Sequence, residues 1–138
     1  MTGAILPDTC TCIWIINNER MRPDAVKMID GAFDQGAKVF VSPITAWEIG
    51  IQARKGRFPS TLSPRRWLEV LLAKPQITLA PMTPDILLES SLLPGRPPSD
   101  PADRILAATA REHAYAVMTR DQELLDYGAE GHLAVVEC

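Results

Sequence analysis

Four acidic side chains stand where predicted elements of the chain begin or end, and together they could bind a metal ion. Asp8 ends the first apolar run, Glu48 lies within a helical pattern, Asp103 lies in the first turn of another helix, and Asp121 follows a strand-like segment. Carboxylate oxygens are hard ligands that suit Mg²⁺ or Mn²⁺. A metal held by them could activate water and stabilise a leaving oxygen, so phosphodiester hydrolysis is the expected reaction class.

Helix capping is the alternative interpretation for three of these acids. Asp8 and Asp121 could be N-caps, whose side-chain oxygens accept hydrogen bonds from free backbone N–H groups. Asp103 follows Asp100 at a spacing at which an acid completes a cap and favours the helix dipole. Taken singly, each acid is therefore better explained by a structural role than by a functional one.

Glu48 is harder to explain by capping. It lies at the edge of an apolar helix face that carries Ile44, Trp47 and Ile51. A carboxylate in that position needs a partner. Convergence of several such acids in one fold favours a functional site, and this convergence is itself an inference from the order of the elements.

Strand and helix patterns alternate along the whole chain, which predicts an α/β fold. The predicted strands cover residues 3–8, 38–42, 77–80, 116–119 and 133–137. The predicted helices cover 9–17, 22–35 with Gly36 as the stop, 43–56, a segment from 63, 83–93, a segment from 100, and 121–126. Such alternation predicts a parallel sheet flanked by helices on both faces. Ligands bind beyond the carboxyl ends of the strands in sheets of this kind, where Asp8 and Asp121 are expected.

Length and composition indicate one globular domain that covers residues 1–138. Hydrophobic residues make up 46% and charged residues 22% of the chain. No apolar run approaches the roughly 18 residues of a membrane span, and no basic region precedes the first apolar stretch. We therefore expect no membrane partner and a cytoplasmic protein.

The charge distribution argues against a generic nucleic-acid coat protein but leaves room for a local contact. The formal net charge is -3, whereas such coats rely on a strongly basic surface. Residues 52–74 nevertheless carry one acid, Glu69, and six cations: Arg54, Lys55, Arg57, Arg65, Arg66 and Lys74. This segment could contact phosphates, or its cations could complement helix C-termini.

Cysteine and histidine chemistry has little support in the sequence. Cys10, Cys12 and Cys138 are odd in number and lack the second pair that a closed zinc site needs, so we expect reduced, mostly packed thiols. His113 and His132 are isolated, which disfavours a nucleophile–histidine site.

Extended segments of the chain resemble PIN-domain ribonucleases, and more narrowly the VapC-type toxins of toxin–antitoxin pairs. The resemblance rests on PDTCTCIWII, VSPITAWEIGIQARKGRF and SDPADRILAATAREHAYAVMTRDQELLDYG, followed by a short closing strand. It covers nearly the whole chain in order and spacing. It implies a single PIN-like domain over residues 1–138.

The resemblance also implies a catalytic and metal-binding set of Asp8, Glu48, Asp103 and Asp121, which would use Mg²⁺, with Mn²⁺ as the other candidate. Three of these acids would be direct or water-mediated ligands, and Glu48 would orient metal-bound water. The implied substrate is single-stranded or looped RNA, the implied assembly is a homodimer, and a cognate antitoxin would block the groove.

Further roles follow from the same resemblance. Asp100 would be a neighbour of the ligands or a helix cap, and Arg104 would neutralise the scissile phosphate or form a surface ion pair. Independently of the resemblance, Thr119 lies just before Asp121, so its hydroxyl could hold a water or ligand, or Thr119 could be an ordinary strand residue. The RNA contacts would be Arg54, Lys55 and Arg57.

Two positions depart from the family pattern. Pro7 replaces the usual aliphatic residue before the first aspartate, and proline cannot donate to a sheet ladder, so we expect a distorted strand end. Cys10 stands where relatives often have Asn or His, which removes a polar contact.

Three other readings compete with an active nuclease. A receiver-type signalling module needs an acidic pair after the first strand, but Thr9 follows Asp8, and the last strand has no lysine. A haloacid-dehalogenase-like phosphatase needs an aspartate where Cys10 stands. A PIN domain that acts only as a binding partner, with an idle site, remains compatible with the sequence.

Overall fold

The computed structural model of the protein describes residues 4–34 and 38–138. Within these residues the strands are β1 Ile5–Pro7, β2 Val39–Val41, β3 Ile77–Leu79, β4 Ala116–Thr119 and β5 Ala134–Glu137. The helices in the same residues are α1 Thr9–Asn17, α2 Pro23–Asp34, α3 Ile44–Arg54, α4 Pro64–Leu72, α5 Pro84–Ser91, α6 Pro101–His113 and α7 Gln122–Ala129.

The strands form one parallel sheet in the order β3-β2-β1-β4-β5. Strand β1 is central and aligns Ile5 with Val39 of β2 and with Ala116 of β4. All four pairings are parallel, so the carboxyl ends of the strands lie at one edge. The predicted α/β class and parallel sheet are confirmed.

Helices cover both faces of the sheet, as the sequence predicts. Side chains alternate along each strand, so Ile5 of β1 and Met118 of β4 enter one core while Leu6 and Val117 enter the other. The first core also receives side chains from α1, α2 and α4, namely Cys12, Ile13, Ala25, Ile29, Trp67 and Leu71. The second receives side chains from α5, α6 and α7, namely Ile86, Leu106, Ala107, Ala110, Leu124 and Tyr127.

Most element boundaries lie within two residues of their predicted positions, and α7 is the main exception. It continues to Ala129 instead of ending near residue 126. Gly128 lies inside the helix, where a Cβ would approach Cγ2 of Val135 to 2.5 Å. The glycine thus permits close packing of α7 on β5. The predicted bounds at Gly3, Gln35 and Gly36 lie outside the described residues.

Pro7 ends the central strand without disrupting the part of it that presents Asp8. The N–H of Ile5 donates to β2, at the carbonyl of Lys38 (3.3 Å), and the N–H of Asp8 donates to β4, at the carbonyl of Met118 (3.1 Å). The backbone groups of successive residues in a strand point to opposite neighbouring strands, so the nitrogen of Pro7 points to β2. The pairing of β1 with β2 is limited to Ile5 and Val39. The expected distortion is therefore confined to the β2 side.

Two predictions from composition can be compared with the structure. Cys12 and Cys138 are buried free thiols, while Cys10 is an exposed one, so the prediction that the thiols are mostly packed is confirmed. In the described part of the chain, no helix combines the length and apolar character that crossing a bilayer requires.

Candidate active site

The carboxyl edge of β1 and β4 holds two of the four predicted acids. Asp8 follows β1 directly, and Asp121 follows β4 after one intervening residue. Since these strands are neighbours, their ends bring the two carboxylates to the same part of the sheet edge. Asp103 lies in the first turn of α6, and Glu48 lies in the middle of α3.

Thr119 links Asp8 to Asp121. Its hydroxyl donates to Oδ2 of Asp8 (2.6 Å) and accepts a hydrogen bond from the backbone N–H of Asp121 (2.9 Å). Thr119 is fully buried and Asp8 is 7% exposed. This pairing orients the Asp8 carboxylate and fixes the start of the segment that carries Asp121. The hydroxyl is thus already used within the protein, and the expectation that it holds a ligand is wrong.

Glu48 has the partner that its position requires. The hydroxyl of Thr9 donates to Oε1 of Glu48, and it also lies 3.2 Å from the hydroxyl of Thr45. Thr9 is 3% exposed and Thr45 is fully buried. Thr9 directly follows Asp8, so it connects the end of β1 to the acid on α3. Sequence reasoning missed this role, although the adjacency of Thr9 to Asp8 was available as a signal.

The electrostatics of Asp103 show that the acids converge. Burial, as the largest cause, and the negative charges of Asp100, Asp121, Glu48 and Asp8, in that order, together raise the pKa of its carboxyl from 3.8 to about 8. A carboxyl with this pKa is largely protonated at neutral pH. The pocket therefore holds more negative charge than it can neutralise without a proton or a cation.

Asp8 and Glu48 show the same pattern. Burial is the main cause that raises the pKa of Asp8, opposed by its hydrogen bonds to Thr119 and Thr11 and assisted by the charge of Asp121. Burial also raises the pKa of Glu48, the bond from Thr9 opposes it, and the charges of Asp100 and Asp8 add to it.

The capping interpretation is correct for Asp8 and Asp121, whereas Asp103 lies in the first turn of α6 and the cap of that helix is Asp100. Asp8 accepts from the N–H of Thr11 (2.8 Å) at the start of α1. Asp121 accepts from the N–H of Leu124 (3.0 Å) at the start of α7, and Asp100 from the N–H of Ala102 (2.8 Å) at the start of α6. The caps hold these carboxylates at the helix N-termini, where the dipole favours negative charge.

Cys10 belongs to the same pocket. Although part of this residue is exposed, partial burial of its thiol and the charges of Asp8, Glu48, Asp103 and Asp121 together raise the pKa of the thiol to about 11. Cys10 is therefore a neutral thiol at physiological pH, without the charge that would make it a strong nucleophile.

The donor chemistry of the pocket fits a hard divalent cation. Asp8, Glu48, Asp103 and Asp121 supply carboxylates, and none of them forms an ion pair with a lysine or arginine among residues 4–34 and 38–138. In that same set, no three His, Cys, Asp or Glu side chains lie close enough together to enclose a metal ion. The acids thus share a pocket and an electrostatic field without forming a closed coordination shell.

The predicted cations divide into two groups. Arg54, Lys55 and Arg57 are exposed at the C-terminal end of α3, so they are available to an external partner. Arg104 is not, because its guanidinium donates to the carbonyls of Ser90 (2.8 Å) and Pro98 (3.1 Å). The expected roles of Arg104 at a phosphate or in an ion pair are therefore wrong, and the side chain fixes the loop before α6.

Trp47 lies next to Glu48 but does not share its burial. Its side chain is 55% exposed, whereas Ile44 is 8% exposed and Ile51 is half-buried. The predicted apolar face of α3 therefore divides, and the tryptophan lies on the solvent side of the helix.

Comparison with known proteins places this geometry in context. The family model described as PIN domain matches residues 5–130. Ribonuclease VapC22 of Mycobacterium tuberculosis is 27% identical over 124 residues, which cover 90% of this chain and 91% of the relative.

Solved structures show the same fold. In VapBC2 from Rickettsia felis, bound to a promoter DNA fragment, the matching chain is 13% identical with a TM-score of 0.63, and 97% of this chain and 98% of that chain are covered. In FitAcB from Neisseria gonorrhoeae the match is 20% identical with a TM-score of 0.51 and covers 95% of each chain.

Proposed function

Because this chain belongs to the PIN domain family, we propose that it is a metal-dependent endoribonuclease toxin inhibited by a cognate antitoxin. The name of the curated relative, a VapC ribonuclease of almost the same length, supports ribonuclease activity. The single structural observation that carries the proposal is the convergence of Asp8, Glu48, Asp103 and Asp121 in a pocket that raises the pKa of Asp103 to about 8.

The same four acids would hold Mg²⁺ or Mn²⁺. Asp8, Asp103 and Asp121 would be the ligands, and Asp103 would give up its proton when the cation binds. A bound divalent ion would polarise the phosphoryl oxygen and lower the proton affinity of the attacking water. Within the protein, the caps and Thr119 hold the ligand oxygens in place.

Glu48 would act on the attacking water. Thr9 occupies Oε1, and among the described residues Oε2 has no hydrogen-bond partner, so this oxygen could accept a proton from a water at the scissile phosphate. Burial raises the pKa of Glu48, which brings the carboxylate closer to the proton affinity that a general base needs.

The proposed partners are RNA, an antitoxin and a second copy of the chain. Arg54, Lys55 and Arg57 would contact RNA phosphates because they are exposed at and just beyond the C-terminal end of the helix that carries Glu48. The structural neighbours are the VapBC2, FitAB and FitAcB assemblies, which supports an antitoxin as partner. The homodimer is proposed from the family resemblance.

One observation favours a second candidate, a PIN domain with an idle site that serves as a binding partner. Both oxygens of Asp8 already accept hydrogen bonds from within the protein, from Thr11 and Thr119. An ion would have to share these oxygens, since each retains a further lone pair.

Cleavage of a panel of structured RNAs, including tRNAs, separates the two candidates. Purified antitoxin-free protein is incubated with Mg²⁺, Mn²⁺ or chelator, beside the Asp103→Asn variant. We expect cutting that requires the metal and is lost in the variant. Cutting that persists in chelator or in the variant would contradict the carboxylate mechanism, and a folded protein that binds Mg²⁺ without cutting any RNA would favour the idle domain.

A further inference from the structure

We infer that Trp47 is a stacking platform for an unpaired RNA base next to the scissile phosphate. The inference rests on the proposed function and adds a specificity-determining residue to it. Trp47 directly precedes Glu48 on α3 and is 55% exposed, whereas the other two tryptophans are occupied within the protein. Trp67 is fully buried, and Trp14 lies under the guanidinium of Arg120 at 3.9 Å.

Helix geometry places Trp47 on a strip that continues to the cations. Residues three and seven positions apart lie on the same face of a helix, so Trp47, Gly50 and Arg54 form one line. All three are exposed, while Thr45 and Ile49 on the opposite side are buried. At 1.5 Å of rise per residue, Arg54 lies about 10 Å from Trp47 along the axis.

Gly50 keeps this strip flat. A Cβ built on Gly50 meets no atom within 4 Å, so packing within the described residues does not require a glycine there. Glycine inside a helix costs about 1 kcal/mol relative to alanine. Internal packing does not need this glycine, and it lies between the exposed Trp47 and the exposed Arg54. The missing side chain leaves room for a strand of nucleic acid to lie across the helix.

The chemistry of the strip favours single-stranded RNA over a protein partner. An exposed aromatic beside Arg54 and Lys55 combines base stacking with phosphate contacts, which is the usual design of single-strand binding surfaces. Bases within a duplex are already stacked on each other and cannot use the indole face. The exposed indole favours an unpaired base, and the cations favour an anionic backbone. Together they indicate a single strand of RNA that enters the site beside Glu48.

Binding can be measured without cleavage in the Asp103→Asn background at one fixed salt concentration. The probes are a short labelled single-stranded RNA of mixed sequence and the matching duplex. We expect preference for the single strand and quenching of tryptophan fluorescence when it binds. Trp47→Ala should weaken single-strand binding by about 5- to 150-fold and leave duplex binding unchanged.

Two further substitutions at this position separate stacking from apolar contact. Trp47→Tyr should retain most of the affinity but lose the quenching, and Trp47→Leu should behave like Trp47→Ala. Gly50→Gln, which fills the strip, should weaken single-strand binding as well. Leu92→Ala, which removes a side chain that is 70% exposed beyond α5, is the matched control and should change nothing.

Several results would overturn the inference. The first is that the protein with Trp47 and the Trp47→Ala variant bind single-stranded RNA with equal affinity. The second is that Trp47→Tyr and Trp47→Leu bind it with equal affinity. The third is that Trp47→Ala converts a dimer to a monomer while its affinity for single-stranded RNA stays unchanged. The last would assign Trp47 to a subunit contact. Cleavage by the wild-type protein is scored separately. RNA that is cut equally by wild type and Trp47→Ala would overturn the stacking role alone, whereas stacking without any cutting would overturn the proposed nuclease alone.

Discussion

The hydroxyl of Thr119 and the carboxylate of Asp8 lie 2.6 Å apart, although 111 positions separate them in the chain. This contact joins the ends of the neighbouring strands β1 and β4, beside the proposed ligands Asp8 and Asp121. Because the same hydroxyl accepts from the N–H of Asp121, one buried side chain sets the relative positions of two proposed ligands.

Replacing Thr119 with valine should therefore reduce cleavage and stability together. The isosteric change leaves Oδ2 of Asp8 and the N–H of Asp121 without their partner, which costs about 1–3 kcal/mol for buried groups. Thr119→Ser keeps the hydroxyl and is the matched control. Chemical denaturation and initial cleavage rates measure the two effects, and equal behaviour of the two variants would contradict the linking role.

Asp121→Asn should abolish cleavage while leaving the fold intact. Asparagine caps helices about as well as aspartate, so the bond to the N–H of Leu124 can persist after the charge is lost. Asp121→Ala should lose both the charge and the cap, with a further cost of about 1 kcal/mol. Thermal denaturation compared with cleavage separates the two effects, and an active Asp121→Asn protein would remove this residue from the site.

The metal-free protein should become less stable as the pH rises. The folded state holds the Asp103 proton with a pKa of about 8, whereas the ordinary value is 3.8. Between these values the folded state binds more protons than the unfolded state, so the free energy of unfolding falls from about pH 4 to about pH 8. Raised pKa values at Asp8 and Glu48 act in the same direction.

Melting temperatures measured in chelator across this pH range test the expectation. Asp103→Asn should flatten the slope, and Mg²⁺ should raise the melting temperature of the wild-type protein most at the alkaline end. A melting temperature that rises with pH in chelator would contradict the assigned direction.

Thr9→Val should impair catalysis through Glu48 rather than through folding alone. The change frees Oε1 of Glu48 from its hydrogen bond, so the carboxylate is less well oriented towards the water. We expect a lower kcat and a weaker apparent affinity for Mg²⁺, with recovery of both in Thr9→Ser. Loss of stability with unchanged metal dependence would show that Thr9 serves packing only.

Neutralising Arg54, Lys55 and Arg57 to glutamine should weaken RNA binding in a salt-dependent way. Affinity falls as salt rises, and each phosphate contact with a single strand makes the slope of log affinity against log salt steeper by about 0.7. Loss of three contacts should therefore make the slope of the triple variant shallower by about 2. Arg65→Gln with Arg66→Gln, on the neighbouring helix α4, is the matched comparison. A larger change in that pair than in the triple variant would place the RNA over α4 instead.

Sequence patterns predicted the order and type of all the elements because strand and helix periods were clear and many helices begin at recognisable caps. Ser63, Thr83, Asp100 and Asp121 each cap a helix in the structure. The extension of α7 through Gly128 could not be predicted, since it depends on the distance between that helix and β5.

The predicted acids lie near enough for their charges to raise the pKa of Asp103, but their supporting contacts were not predictable. Periodicity assigned Trp47 to an apolar face, although only the packing of α3 determines which side is buried. Arg104 turns towards the carbonyls of Ser90 and Pro98, and no local pattern encodes that choice. The role of Thr119 likewise depends on which strand lies beside β4.

The helix caps at the pocket carry an evolutionary consequence. An aspartate that caps a helix can become asparagine through the exchange of one side-chain oxygen for nitrogen, and Asp8, Asp100 and Asp121 are all such caps. Selection for a folded, partner-binding domain would tolerate that exchange, so inactive descendants of an active nuclease are accessible in a single step. Among related proteins with this fold, retention of aspartate at these caps therefore indicates selection for catalysis more strongly than retention of the fold does.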